Sequence, residues 1–165
     1  MSVRFKLQGI YTPLITPFFS DGGVDFDSLA LLIERLISAG VHGLISGGST
    51  GENYAETVEE RLQIARFIVE RTGGRIPVVI GTGAMRTPDS IALAQGARDM
   101  GADAILLGTP PYSVPTEREN ALNALAIDRV ADLPIILYNY PGRMSVEMGR
   151  AFLDRVGRSK NIIGI

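Results

Sequence analysis

Short apolar runs alternate with longer amphipathic stretches along the sequence. The runs are bounded by glycine, proline or polar residues and have the length of buried strands, and the stretches between them repeat apolar residues at helical spacing. Six strands are predicted, at residues 9–18, 43–46, 77–80, 104–107, 134–138 and 162–165. From the second strand onward, the starts recur about every 30 residues, the length of one strand-helix unit. The pattern therefore predicts α/β structure with parallel strands.

Five helices are predicted between the strands, and capping residues mark their starts. The predicted caps are Asp25 or Asp27, Thr57 in a capping box with Glu60, Thr87 followed by Pro88, and Thr116 in a capping box with Glu119. The fifth helix is predicted over residues 145–156. Because each helix lies between two strands, it would connect them as a crossover and cover the sheet.

The alternation fits two architectures, an open doubly wound sheet and a (β/α)₈ barrel. The strands are similarly apolar, so no edge strand stands out, and hydroxyl-bearing residues such as Thr16, Thr82 and Thr109 follow strand ends. In a barrel, all the strand ends meet at one face, where the active sites of this fold lie. We therefore predict α/β structure of the TIM (β/α)₈ barrel type, incomplete because about six strands and five helices are present.

The last apolar stretch, residues 161–165, reads as a buried strand with no later element to pack against. A barrel of this kind takes about 250 residues. Residues 1–165 are therefore predicted to be the N-terminal portion of a single barrel domain, with the remaining strands and the C-terminal helices absent from the sequence. We expect the polypeptide to continue beyond Ile165.

Composition and charge narrow the function classes. The net charge of −2 offers no basic surface for nucleic acid, and no apolar run approaches the roughly 18 residues of a membrane span. The sequence has no cysteine and a single histidine, His42, which excludes thiol nucleophiles and multi-histidine metal sites within it. His42 itself precedes a strand and is interpreted as a loop residue. We expect a cytoplasmic protein that acts on small molecules without a metal, through hydroxyl, carboxylate and amine groups.

A glycine-rich loop follows the second strand at residues 47–52, Gly-Gly-Ser-Thr-Gly-Glu. Glycines let the backbone approach a ligand, and exposed N–H groups beside the Ser49 and Thr50 hydroxyls suit a bound carboxylate. The alternative is a loop that only turns the chain. Both interpretations stay open on the residues alone.

Three further side chains carry candidate chemistry. Tyr138 ends the fifth strand and could shuttle protons, while Arg143 could bind a carboxylate through two parallel hydrogen bonds. The alternatives are a packing role for Tyr138 and a solvated Arg143. Tyr112 follows two prolines in a stiff loop, and a surface or interface aromatic is its plainest interpretation.

Several motifs occur in order along the chain: Thr16-Pro17-Phe18, Gly48-Ser49-Thr50-Gly51-Glu52, Gly81-Thr82-Gly83, Thr109-Pro110-Pro111-Tyr112, Tyr138-Asn139-Tyr140-Pro141 and Asn161-Ile162-Ile163-Gly164-Ile165. Together they resemble the dihydrodipicolinate synthase / N-acetylneuraminate lyase family of pyruvate-dependent class I aldolases. The resemblance implies a lysine that forms a Schiff base with the keto carbon of pyruvate. In the family, this lysine would come immediately after Ile165, and it is absent from the sequence. Either the chain ends at Ile165 or the sequence stops at a covalently modified lysine, and we favour the second hypothesis.

The resemblance also implies roles for individual residues. Thr50, with the N–H groups of Ser49 and Thr50, would hold the pyruvate carboxylate. Ser49, Tyr112 and Tyr138 would form a hydroxyl relay, with Tyr138 as the general acid/base nearest the lysine. Tyr112 would reach across a tight dimer interface into the neighbouring site, and Arg143 would bind the carboxylate of the second substrate. No metal or cofactor would be needed, because the covalent lysine-pyruvate imine serves as the electron sink.

The details of the motifs conflict over the substrate. Ser49 stands where the synthases usually have threonine, and residues 47–52 have the sequence that is usual in the lyases. By contrast, Arg143 and residues 81–84 are closer to the synthases. Residues 144–146, Met-Ser-Val, stand where the synthases usually have Thr-Gly. We expect a synthase-like homodimer or homotetramer that condenses or cleaves pyruvate and an aldehyde. The alternative within the family is an N-acetylneuraminate lyase-like or sugar-acid (2-keto-3-deoxy acid) aldolase or dehydratase.

A rival from another class is a ligand-binding family member without catalysis. It would keep the carboxylate loop and lack the reactive amine. Lys6 and Lys160 are the two lysines in the sequence, and neither is predicted at a strand end. The intact mass and borohydride trapping of pyruvate would separate the two classes.

Overall fold

Six short strands form one parallel sheet in the computed structural model, which describes residues 5–165. They are β1 (Tyr11–Pro13), β2 (Gly43–Ser46), β3 (Val78–Gly81), β4 (Ala104–Gly108), β5 (Ile135–Tyr138) and β6 (Ile162–Gly164). The predicted strand 9–18 is wrong in its extent. Pairing with β2 is confined to residues 11–13, because Pro13 and Pro17 have no N–H to donate to a neighbouring strand.

The strands lie in the order of the sequence, from β1 to β6, and every neighbouring pair is parallel. A doubly wound sheet reverses its strand order at a switch point, and this sheet does not reverse. Right-handed crossovers then place the connecting helices on one face, as in a barrel wall. Within residues 5–165, β1 and β6 each pair with one strand only, so the sheet is an unclosed barrel, as predicted.

Four long helices and two short ones accompany the sheet. They are α1 (Phe26–Ser38), α2 (Val58–Thr72), α3 (Thr87–Asp99), α4 (Glu117–Ala131), α5 (Pro141–Met144) and α6 (Arg150–Val156). Asp25 caps α1, accepting a hydrogen bond from the Ser28 N–H, and both predicted capping boxes are present, at Thr57 and Thr116. In the described part of the chain, each helix falls short of the length and apolarity that a membrane crossing requires.

Two helix predictions are wrong in detail. Thr87 is not the cap of α3, because Arg86 occupies that position and the Thr87 hydroxyl instead donates to Asn123 Oδ1 on α4 at 2.7 Å. The helix predicted over 145–156 is interrupted. Ser145 takes a left-handed conformation after α5, and α6 begins only after Gly149, because the intervening Met148 N–H donates to Asn139 Oδ1 at the end of β5 (3.0 Å).

The main core lies between the sheet and the helices. Alternate strand residues point outward to the helices, including Leu44, Ile80 and Ile105, and pack against buried residues of the helices. The helix residues in this core include Leu29, Ile33, Ile64, Ile68, Ala94, Ala124, Ile127 and Phe152. The residues between them, such as Ile45 and Leu106, point to the inner face of the sheet. The helix layer therefore fixes the strands, and the strand ends fix the site.

His42 lies at the amino end of β2, as expected for a loop residue. Its Nδ1 accepts a hydrogen bond from the Ile10 N–H at 3.0 Å. This contact joins the segment before β1 to the segment before β2. It is at the opposite end of the sheet from the cavity described next.

Candidate functional site

A cavity of about 640 Å³ opens at the carboxyl ends of β1 to β5. Its wall is contributed by the strand ends and by the loops that follow them. The lining includes Pro13, Ile45, Gly47, Ser49, Thr50, Asn53, Gly81, Leu106, Tyr138 and Arg143. This is the face where ligands of α/β barrels bind.

The glycine-rich loop forms one side of the cavity. Gly47 has φ +69°, and its carbonyl accepts a hydrogen bond from Asn53 Nδ2 at 2.8 Å. Ser49–Gly51 then forms a single turn of 3₁₀ helix after Gly48. As the first residues of this turn, Ser49 and Thr50 have N–H groups without an acceptor inside it. The loop therefore offers two N–H groups and two hydroxyls next to the cavity.

Close packing of β2 against β3 explains why two glycines meet beneath this loop. A Cβ added at Gly81 would lie 2.3 Å from the Gly47 carbonyl oxygen and 2.8 Å from its carbonyl carbon. No side chain fits between these backbones. The position of Gly81 at the end of β3 thus determines the position of Gly47 at the end of β2.

Arg143 reaches the glycine-rich loop from across the cavity. It lies on α5, which begins with Pro141 directly after β5. Its Nη1 donates to Ser49 Oγ at 3.1 Å, and its Cζ lies 5.6 Å from the centre of the Tyr140 ring. A guanidinium so held is a cation at the cavity mouth, with donors left for an anion.

Tyr138 is the last residue of β5 and faces the cavity. It pairs with Gly108 of β4, which lines the cavity beside it. The ring packs edge to face against Tyr140, with their centres 6.0 Å apart. With 37% of its surface exposed, Tyr138 is accessible to a ligand in the cavity.

Four of the five predicted site residues line this one cavity: Ser49, Thr50, Tyr138 and Arg143. The fifth, Tyr112, is not among the lining residues. It is 88% exposed, with φ +68°, and sits beyond Pro111 on the outer side of the β4 loop. Within residues 5–165, no group of three or more histidine, aspartate and glutamate side chains is placed to hold a metal ion.

Sequence reasoning missed a buried cation behind the glycine-rich loop. Arg61 of α2 is only 6% exposed, and its two terminal nitrogens donate to the Gly83 carbonyl (3.0 Å) and the Gly81 carbonyl (2.8 Å). Burial lowers the pKa of the Arg61 guanidinium, and the charge of Glu56 opposes this. Burial also raises the pKa of Glu56, against the opposing effects of the nearby Thr16 hydroxyl and the charge of Arg61.

A sequence signal for Arg61 did exist. Arg61 lies three residues before Ile64 and seven before Ile68, and both are core residues. These spacings place all three side chains on one face of a helix. An arginine at a core-facing position needs buried hydrogen-bond acceptors, and the strand ends provide them.

The fold and cavity define an α/β-barrel protein with its binding site at the carboxyl ends of the strands. The sequence model of the dihydrodipicolinate synthetase family matches residues 6–165. The chain belongs to that family, as the motifs predicted.

Individual relatives agree with this assignment. The 4-hydroxy-tetrahydrodipicolinate synthase of Pseudomonas putida is 40% identical over 159 residues, which are 96% of this chain and 54% of the relative. The chloride-inhibited dihydrodipicolinate synthase of Acinetobacter baumannii, solved with pyruvate, superposes with a TM-score of 0.91 at 39% identity, covering 96% of this chain and 55% of that one. Clostridium difficile CdNal, solved with mannosamine, gives a TM-score of 0.93 at 27% identity, covering 97% and 56%. The chain spans about half the length of these relatives.

Proposed function

We propose that the whole protein is a Schiff-base-forming lyase of the 4-hydroxy-tetrahydrodipicolinate synthase type, which condenses or cleaves pyruvate and an aldehyde. The observation that carries this proposal is the convergence of Ser49, Thr50, Tyr138 and Arg143 on one cavity at the strand ends. The relationship to a synthase solved with pyruvate supports the choice of keto acid. A cytoplasmic location is part of the proposal, and the cysteine-free composition supports it.

The nucleophile in this proposal is a lysine directly after Ile165. β6 runs parallel to β5 and pairs with it at Ile135 and Ile136, so the position after β6 lies towards the same end of the sheet as Tyr138 and the cavity. The amine attacks the keto carbon of pyruvate, water leaves, and the cationic imine acidifies the pyruvate methyl group. Loss of a methyl proton gives an enamine, whose carbon attacks the aldehyde carbonyl, and water then releases the product by hydrolysis of the imine.

The residues of the cavity have separate tasks in this scheme. Thr50 and the loop N–H groups hold the pyruvate carboxylate, and Tyr138 transfers protons to and from the imine, with Ser49 as a further hydroxyl of the relay. Because Ser49 Oγ accepts from Arg143, the Ser49 hydroxyl proton is free to be donated elsewhere. Arg143 binds the carboxylate of the second substrate. The imine itself accepts the electron pair, so the proposed reaction needs no metal or other cofactor.

Tyr112 has its task in a neighbouring subunit. We propose that the protein is a homodimer or homotetramer, in which Tyr112 of one copy completes the hydroxyl relay of another. Its high exposure and its absence from the lining of its own cavity support this arrangement. Mixing a Tyr112→Phe variant with a Tyr138→Phe variant should restore part of the activity, because mixed dimers contain one intact site.

Borohydride trapping tests the proposed chemistry. The whole protein is incubated with pyruvate and sodium borohydride, and its intact mass is measured, with a sample lacking pyruvate as the control. The expected result is one reduced pyruvate adduct per subunit, located on the lysine after Ile165. A protein that binds pyruvate reversibly but yields no adduct would instead be the non-catalytic binding member of the family.

A second candidate is an aldolase that takes an amino sugar in place of an aldehyde with a carboxylate. Two observations favour this aldolase: the likeness to CdNal, which was solved with mannosamine, and the lyase-type sequence of the glycine-rich loop. The variant Arg143→Met separates the candidates. A synthase should lose affinity for its carboxylate-bearing aldehyde by about 10- to 100-fold, whereas an aldolase should keep its KM for a sugar that has no carboxylate.

A further inference from the structure

We propose that Arg61 is a positioning residue that holds the ends of β2 and β3 together and so places the glycine-rich loop against the cavity. Arg61 is not a lining residue of the cavity, and it would act through the backbone. The role of the loop as the pyruvate carboxylate site rests on the proposed function. The positioning role of Arg61 does not depend on the proposed function, so the two proposals can be tested separately.

The two hydrogen bonds of Arg61 hold the segment at the end of β3. Gly81 is the last residue of β3, and Gly83 lies two residues beyond it. One planar guanidinium therefore fixes both carbonyls of this segment in a single geometry, at 2.8 and 3.0 Å. A lysine at this position would have a single ammonium group on a flexible side chain. It could not make the same two hydrogen bonds in a fixed geometry.

Contact between glycine backbones carries this constraint to the next strand. Because the Gly81 and Gly47 backbones touch, a shift of Gly81 must move Gly47. Gly47 is also held from the other side by Asn53. Ser49 follows Gly47 by two residues, so the placement of the Ser49 and Thr50 groups depends on the position of Gly81.

A half-buried carboxylate acts on the charge of Arg61. Glu56 attracts Arg61 electrostatically, and it directly precedes Thr57, the cap of α2. Thr16 lies beside Glu56, and its hydroxyl donates to the Gly51 carbonyl at 2.8 Å. The pair therefore lies among the ends of β1, β2 and β3. The charge of Glu56 therefore favours a position of the Arg61 guanidinium near these strand ends.

The test compares three single variants of the whole protein. Arg61→Met removes the donors while keeping an extended side chain, Arg61→Lys keeps only the charge, and Arg66→Met is the matched control on the exposed part of the same helix. Amide hydrogen exchange of residues 47–51 and 81–83 is the direct readout. We expect exchange in both segments to accelerate about 10-fold or more in Arg61→Met, less in Arg61→Lys, and not at all in Arg66→Met.

Steady-state kinetics give a second readout for the catalytic consequence. We expect the KM for pyruvate to rise by about 10- to 100-fold in Arg61→Met, with a smaller change in kcat, because a misplaced loop weakens carboxylate binding. The double variant Glu56→Gln/Arg61→Met removes the unpaired carboxylate. We expect the double variant to recover thermal stability, while its pyruvate KM stays high and its amide exchange stays fast. If Arg61 only stabilised the fold, all three properties would recover together.

The possible failures are distinguishable. Unchanged exchange in both segments of Arg61→Met would overturn the positioning role, whatever the reaction is. Equal recovery of stability, exchange and KM in the double variant would also overturn it. If the wild-type protein traps no pyruvate, the proposed function fails, and hydrogen exchange still decides the role of Arg61.

Discussion

The substitution Gly81→Ala tests the central packing feature of the site with a single methyl group. Gly81 has no positive φ, so alanine introduces no backbone strain of its own. The new Cβ would lie 2.3 Å from the Gly47 carbonyl oxygen and 3.1 Å from the Ser46 carbonyl oxygen. These neighbours are backbone atoms, which cannot rotate away, so the ends of β2 and β3 must separate.

The size of the effect follows from this distance. Carbon and oxygen atoms in contact are typically about 3.3 Å apart, so the strand ends must open by about 1 Å. Overpacking of this kind costs about 1–3 kcal/mol of folding free energy. A displacement of about 1 Å at a substrate-positioning group costs about 100-fold in activity. We therefore expect both a moderate loss of stability and a large rise in the pyruvate KM.

Urea unfolding and pyruvate kinetics of the whole protein measure the two effects. Gly83→Ala is the control for stability, because its Cβ would meet nothing closer than the Gly108 nitrogen at 3.7 Å. It should change the free energy of unfolding by less than about 0.5 kcal/mol. If Gly81→Ala unfolds at the wild-type urea concentration and binds pyruvate normally, the proposed contact between the strand ends does not determine the site.

Three further predictions concern the reaction, a helix start and the core. Tyr138→Phe should lower kcat by about 100-fold or more in a steady-state assay, with little change in the pyruvate KM, since only the proton-transferring hydroxyl is lost. Thr57→Ala should destabilise the protein in urea by about 1 kcal/mol. Hydrogen bonds from Thr57, first of all from its backbone N–H, lower the pKa of Glu60, so the Glu60 carboxylate stabilises the fold above the ordinary glutamate pKa and this stabilisation is lost as the pH falls through the lowered pKa. Because alanine keeps the backbone N–H, most of this pH dependence should persist in Thr57→Ala. Phe152→Ala should cost about 3–5 kcal/mol of folding free energy by calorimetry, because this ring of α6 is fully buried in the core.

The elements that sequence predicted well are those with local causes. The capping boxes at Thr57 and Thr116 place two helix starts, because the residues that form each box lie within one turn. Apolar runs gave five of the six strands to within a residue at each end. The meeting of four predicted residues at one cavity could be anticipated because parallel strands bring their carboxyl ends together.

The errors have causes that lie far away in the sequence. The sequence suggests Thr87 as a helix cap, but its hydroxyl donates a hydrogen bond to Asn123 on another helix. The helix predicted at 145–156 is broken by a hydrogen bond from Met148 to Asn139. Arg61 could be seen as an arginine on an apolar helix face, but its partners are the carbonyls of Gly81 and Gly83, and only the fold brings them within reach.

The sequential order of the strands has a consequence for how the protein is made. Each strand pairs with the strand-helix unit made just before it, so no strand has to wait for a partner from the far end of the chain. At translation rates of about 5–20 residues per second, a unit of about 30 residues leaves the ribosome every 2–6 s or so. Residues such as Gly47 and Gly81 can therefore meet while later strands are still being synthesised. The side of the cavity formed by the glycine-rich loop can thus fold before Tyr138 has been synthesised.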